Sequence, residues 1–169
     1  MRERTFGFSI ALVIFLADQL AKWIVSGPLR LQEVGQIYLL PFFNLTWTEN
    51  NGISLGLLNA ESETGRWMLV ALTTAIAIAV AVWIGREKRR WDQAALGLIL
   101  GGALGNILDR VRHGFVVDFA DLHFGAFRPF LVFNVGDAAI SIGVVILLVR
   151  AFLIKDEHKK LPKESVENA

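Results

Sequence analysis

Cysteine is missing from this chain altogether, which removes disulfides, thiol nucleophiles and thiolate metal sites. Histidine is scarce: His113, His123 and His158 are the only three, and no His-Glu-x-x-His pair is there to hold a catalytic zinc. There is no Gly-x-Ser-x-Gly turn to present a serine nucleophile. Charge of one sign is lacking too. Seventeen Lys and Arg stand against sixteen Asp and Glu, a formal net charge of +1, so nothing invites nucleic acid. Nothing calls for a metal or cofactor. Charged residues are only 20% of the chain and hydrophobic ones 54%. The apolar residues come in long unbroken blocks, and that pattern reads as membrane spans.

The blocks predict an all-α polytopic membrane protein with four transmembrane helices, at about 6–25, 67–84, 94–111 and 131–154. They belong to one membrane-embedded domain, 1–169, with a polar, disordered tail over 155–169. The first block follows a basic start, but it is too long for a signal-peptide core and carries Asp18 and Lys22. It is read as a retained helix. The third is the shortest, because its clean apolar part ends at Leu108. Lys and Arg set the orientation. They gather at Arg2 and Arg4, at Arg86 to Arg90 and in the tail, whereas the segment 27–65 holds only Arg30. Both termini are therefore expected in the cytoplasm, and the two longer loops outside. In the first of these loops, 36–40 and 43–48 read as strands, and Glu49-Asn50-Asn51-Gly52 reads as a turn. This predicts a small extracytoplasmic β-sheet between helices 1 and 2, followed by an interfacial helix from Ser54–Asn59.

Polar residues inside such spans are costly, so each asks for a partner or a function. Asp18 and Lys22 lie four apart on one helical face, as a self-neutralising pair would. Gly97, Gly101, Gly105 and Asp109 repeat every four residues, giving a flat stripe for close helix packing that ends in a carboxylate. Asp109 and Arg110 read as a structural pair, and Asn106 needs a hydrogen bond within the span. Asn134, Asp137 and Ser141 share a face of the fourth block. Asp137 is expected roughly 9 Å inside it, with no basic residue within a turn. Asp118, between apolar neighbours, is expected to point inward. A carboxylate partner for Asp137 could be Asp109, Asp118 or Asp121, and spacing does not choose among them. Two close carboxylates share one proton, which suits peptide hydrolysis by general acid and base without a metal. The competing readings are a serine–lysine pair at Lys22 and Ser26, a small proton-coupled membrane transporter, and an assembly protein whose polar residues only join helices.

Five blocks in order resemble the bacterial lipoprotein signal peptidases, signal peptidase II. Asp18-Gln19-Leu20-Ala21-Lys22 is similar to that family's Asp-Gln-x-x-Lys. Asn44-Leu45-Thr46-Trp47, continuing to Asn50-Asn51-Gly52, resembles its outer-loop motif. Gly101 through Arg110 resembles its third-helix signature. Gly114-Phe115-Val116-Val117-Asp118-Phe119 and Phe133-Asn134-Val135-Gly136-Asp137-Ala138-Ala139-Ile140 resemble the two blocks that hold its aspartates. The resemblance implies an intramembrane aspartic endopeptidase with Asp118 and Asp137 as the catalytic pair. Asn50, Gly52, Asn106, Asp109, Arg110 and Asn134 would then support substrate or dyad, and Asp18 and Lys22 would brace the site. It also implies membrane-anchored prolipoprotein substrates, cut before a diacylglyceryl-modified cysteine, and residence in the bacterial inner membrane. It implies no cofactor and no obligate protein partner beyond the lipid bilayer. The chain departs from the family's pattern at Gly136 and Ala138, where the family has alanine and serine, and at Leu55, where it has phenylalanine.

Overall fold

The computed structural model describes residues 5–52, 62–125 and 127–160, with side chains as far as Phe152. The order is α1 (Thr5–Ser26), α2 (Leu31–Val34), β1 (Gln36–Leu40), β2 (Phe43–Asn50), α3 (Glu63–Arg86), α4 (Arg90–Arg112), β3 (Val116–Leu122) and α5 (Val135–Lys160). Among the described residues, α1, α3, α4 and α5 are long and apolar enough to cross a membrane. Exposed tryptophans mark both ends of the bundle, Trp23 and Trp67 at one and Trp83 and Trp91 at the other. Amphipathic rings collect at this level of a bilayer.

α4 is the hub. It packs on α1, α3 and α5, whereas among the described residues the α3 and α5 backbones do not come within 8 Å of each other. Half of its apolar window is buried in protein, against 22%, 22% and 17% for the other three. A helix shielded in this way needs less lipid-facing bulk, which is why its apolar run looked short. Gly97 and Gly101 lie against the α1 backbone, and Gly102 against Gly136 of α5. Small residues let these backbones approach closely.

The sheet has three strands in the order β1-β2-β3, all antiparallel. The sequence suggested only the first two. β3 comes from the segment between α4 and α5 and is buried along almost its whole length, so it carries no polar–apolar alternation to give it away. Two boundaries also shift. The fourth helix begins at Val135 rather than 131, because the Phe133 backbone is bonded to Phe119 and Ala120 of β3. At the other end α5 continues to Lys160, so the tail expected to be disordered from Lys155 starts as helix. The interfacial helix expected over Ser54–Asn59, and Leu55 with it, lies outside the described residues.

Candidate active site

Two carboxylates from different elements meet through one asparagine. Asn134 is the N-cap of α5: its Oδ1 accepts from the Asp137 backbone N–H at 2.9 Å, and its own N–H donates to Asp137 Oδ2 at 3.2 Å. This reciprocal capping box fixes the first turn of α5. Asp137 therefore sits in that first turn, half-buried, not several residues deep in the helix as the sequence suggested. The Asn134 Nδ2 donates to Asp118 Oδ1 at 2.6 Å and to Asn106 Oδ1 at 3.2 Å. Asn106 Nδ2 donates to Asp137 Oδ1 at 2.8 Å. Asn50, the last residue of β2, donates from Nδ2 to Asp118 Oδ2 at 3.0 Å. Its Oδ1 is pinned by the Gly52 N–H at 2.9 Å, and Gly52 has φ 103°, a left-handed value that favours glycine. Each of the four carboxylate oxygens thus accepts one hydrogen bond. Burial, and after it the neighbouring Asp137 carboxylate, push Asp118 up to about 6.

Behind this pair lies a single ammonium. Lys22 Nζ is 2.7 Å from Asp18, 2.9 Å from Asp109 and 3.0 Å from Asn106 Oδ1, and all four residues are buried. Each partner reaches an element that bears the carboxylates. Asp18 Oδ1 accepts from the Gly136 N–H at the start of α5, 2.9 Å. Asp109 Oδ2 accepts from Val117 N–H, beside Asp118 on β3, at 3.1 Å. Asn106 donates to Asp137 itself. Gly105 makes room, since a side chain there would run into the Asp18 carboxylate. Gln19, inside the Asp-Gln-x-x-Lys block, closes the group by donating to Asp109 Oδ1 at 3.1 Å.

Other expectations change. Asp109 pairs with Lys22, not Arg110. Arg110 keeps only a long contact, 3.5 Å to the Asn106 carbonyl. Its Nε is buried without a partner among the described residues, within electrostatic reach of Asp137 and Asp118. Asp121 is held by Arg128 at 3.1 and 3.2 Å and by Thr46 at 3.0 Å, which leaves it no role beside Asp137. Lys22 Nζ is taken up by Asp18, Asp109 and Asn106, which leaves none of its three donors for Ser26. Ser26→Ala should keep wild-type turnover within about twofold, as surface changes away from a site do; a progress curve on a lipidated precursor checks this. Gly136 fits its tight place against Gly102, where a Cβ would meet the carbonyl at 3.0 Å. Ala138, with Phe130, Phe133, Ser141 and Ile142, lines an apolar groove of about 360 Å³ that opens onto Asp137.

Residues 10–153 match the family model described as Signal peptidase (SPase) II. The chain is 59% identical over 152 residues to the lipoprotein signal peptidase of Sphingopyxis alaskensis, covering 90% of this chain and 88% of that one. It is 52% identical over 165 residues to the lipoprotein signal peptidase of Rhizorhabdus wittichii, with 98% and 95% covered. Its fold is similar to a bacterial membrane enzyme solved by the in meso method at 2.3 Å resolution, with a TM-score of 0.76, 31% identity, and 94% and 93% of the two chains covered.

Proposed function

The chain belongs to the signal peptidase II family, and from that premise we propose that it is an intramembrane aspartic endopeptidase that removes signal peptides from prolipoproteins, cutting before the diacylglyceryl-modified cysteine. What carries the reading is that the carboxylates of Asp118 and Asp137, arriving from β3 and α5, are both hydrogen-bonded to Asn134.

The chemistry follows from a pair holding one proton. A water between the carboxylates gives a proton to Asp137 as its oxygen bonds to the scissile carbonyl carbon, while Asp118 donates its proton to the carbonyl oxygen. The resulting gem-diol collapses: the C–N bond breaks, the amine leaves with the proton from Asp137, and a hydroxyl proton returns to Asp118. The dyad ends with the one proton it began with. The fixed asparagine donors occupy one lone pair on each oxygen and orient the other toward water and substrate. Arg110, within electrostatic reach of Asp137 and Asp118, supports the pair through its charge. Asp18, Lys22 and Asp109 hold α5 and β3 at a common spacing.

The substrate's signal helix lies in the same bilayer, in the inner membrane. Among the described residues the separation of the α3 and α5 backbones leaves a lateral way in, and the apolar groove below Asp137 suits the residues before the cut.

The proton on Asp118 sets a pH dependence. Its group is neutral below about 6 and charged above, and the doubly charged pair has no acid to give. For the free enzyme, kcat/KM should therefore fall above pH 6, by about tenfold per unit at the limit. A bound apolar segment removes more water and favours the neutral acid further, so the kcat limb should lie higher in pH than the kcat/KM limb. Rate profiles from pH 5 to 9 check both, and a flat kcat/KM across that range would contradict the assignment. The function itself is tested by incubating the purified chain with a diacylglyceryl-modified precursor and looking for release of the signal peptide.

A further inference from the structure

Arg66 is an expensive residue with no visible return. It sits in the first turn of α3, just after the Ser62 cap, where the helix dipole disfavours a positive charge. Its side chain is only 28% exposed. Among the described residues its one ion pair is a 3.5 Å contact to Glu63, itself 81% exposed and so screened by solvent. Its Nε is buried with no partner among the described residues. The guanidinium lies over the Trp67 ring at 5.2 Å, which holds its plane. Gly114, at φ 90°, leaves it space, since a Cβ there would stand 3.0 Å from Nη1.

This guanidinium lines a cavity of about 510 Å³ with Asn51, Ser62, Glu63, His113, Gly114 and Phe115, and the exposed Glu63 carboxylate is its present, weakly held partner. Asn51 follows Asn50, and Phe115 leads into Val116, which pairs with Asn50. The cavity therefore adjoins the end of the sheet where Asn50 grips Asp118. Its lining is more polar than apolar, the reverse of the groove beneath Asp137. The groove opens onto Asp137 and the cavity begins one residue beyond Asn50, so the two hollows differ in character as well as in place. A prolipoprotein has the same asymmetry about its cut, an apolar helix before it and a polar chain after it.

We propose that Arg66 is a specificity residue that binds the polar chain just beyond the modified cysteine, and that its guanidinium, lining this cavity, favours a carboxylate there. This rests on the peptidase reading above and adds a second recognition point to it. A guanidinium fork matches a carboxylate in geometry as well as charge.

The test uses three diacylglyceryl-modified precursors, identical except for Asp, Asn or Lys directly after the cysteine, in one micelle composition. Wild-type kcat/KM should favour Asp over Lys by about threefold to tenfold, and less at high salt. The ratio should fall to near one in Arg66→Gln and invert in Arg66→Glu. Each ratio is taken within one enzyme, so an inactive fraction cancels. A flat ratio in the wild type, or the same ratio in all three enzymes, overturns the proposal. So does a flat ratio with Arg66→Gln turnover that instead tracks the anionic lipid content of vesicles, which would assign the guanidinium to a phospholipid headgroup. Failure of the wild type to cleave even the Asn precursor would strike the peptidase reading itself.

Discussion

Asp118→Asn and Asp137→Asn should each lower turnover by roughly 10³-fold or more while the protein still folds, and the double variant should be scarcely worse than either single one. The non-additivity is the sharper part. Two carboxylates sharing one proton act as a unit, so once either is neutralised the other has nothing to work with. Folding should survive because each change is nearly isosteric. The new amide must turn its NH2 toward a donor, Asn134 or Asn50 at Asp118, or Asn106 or the Asn134 N–H at Asp137. One crossed hydrogen bond costs about 1–3 kcal/mol. The check is signal-peptide release beside a thermal melt in detergent. Losses that multiply in the double variant would mean that the two groups act independently, and the proposed mechanism would fall.

Much of the architecture was legible in the amino-acid order, for a physical reason. Lipid demands long apolar runs, so α1, α3 and α5 announced themselves, while α4 read as short because protein rather than lipid surrounds it. β1 and β2 were visible because they are short runs rich in aromatic and apolar residues that lead into the turn signal at Glu49 to Gly52. β3 was not, since both its faces are buried, and the strand that bears Asp118 was read as loop. The start of α5 was misjudged because backbone pairing at Phe133 does not alter hydropathy. The costly charges at Asp18, Lys22, Asp109 and Asp137 were conspicuous by their setting. Which carboxylate meets Asp137 was not, because residues 118 and 137 join only through tertiary structure; resemblance to a known family supplied the pairing. Arg66 escaped notice because it stands at the edge of a span, where an arginine looks ordinary until its burial and its idle Nε are seen.

Lys22→Met should be as damaging to stability as the dyad changes are to turnover. The methionine fills similar space and removes the charge together with the three N–H donors. It strands Asp18, 0% exposed, and Asp109, 2% exposed, with no cation between them. Breaking a buried ion pair from one side costs about 3–5 kcal/mol. Lys22→Arg should not rescue it, because the planar fork is wider than the ammonium and Gly105 already leaves barely enough room for the Asp18 carboxylate. Adding Asp18→Asn to Lys22→Met should recover part of the loss, since the amide oxygen can still accept from Gly136 N–H while one stranded charge disappears. Activity should not recover with it. The ammonium is the point at which the start of α5 and β3 are tied to each other, and a neutral side chain ties neither. Melting temperatures and turnover of the two single variants and the double one, measured side by side, separate the two effects. If stability and activity returned together in the double variant, Lys22 would be balancing charge and nothing more.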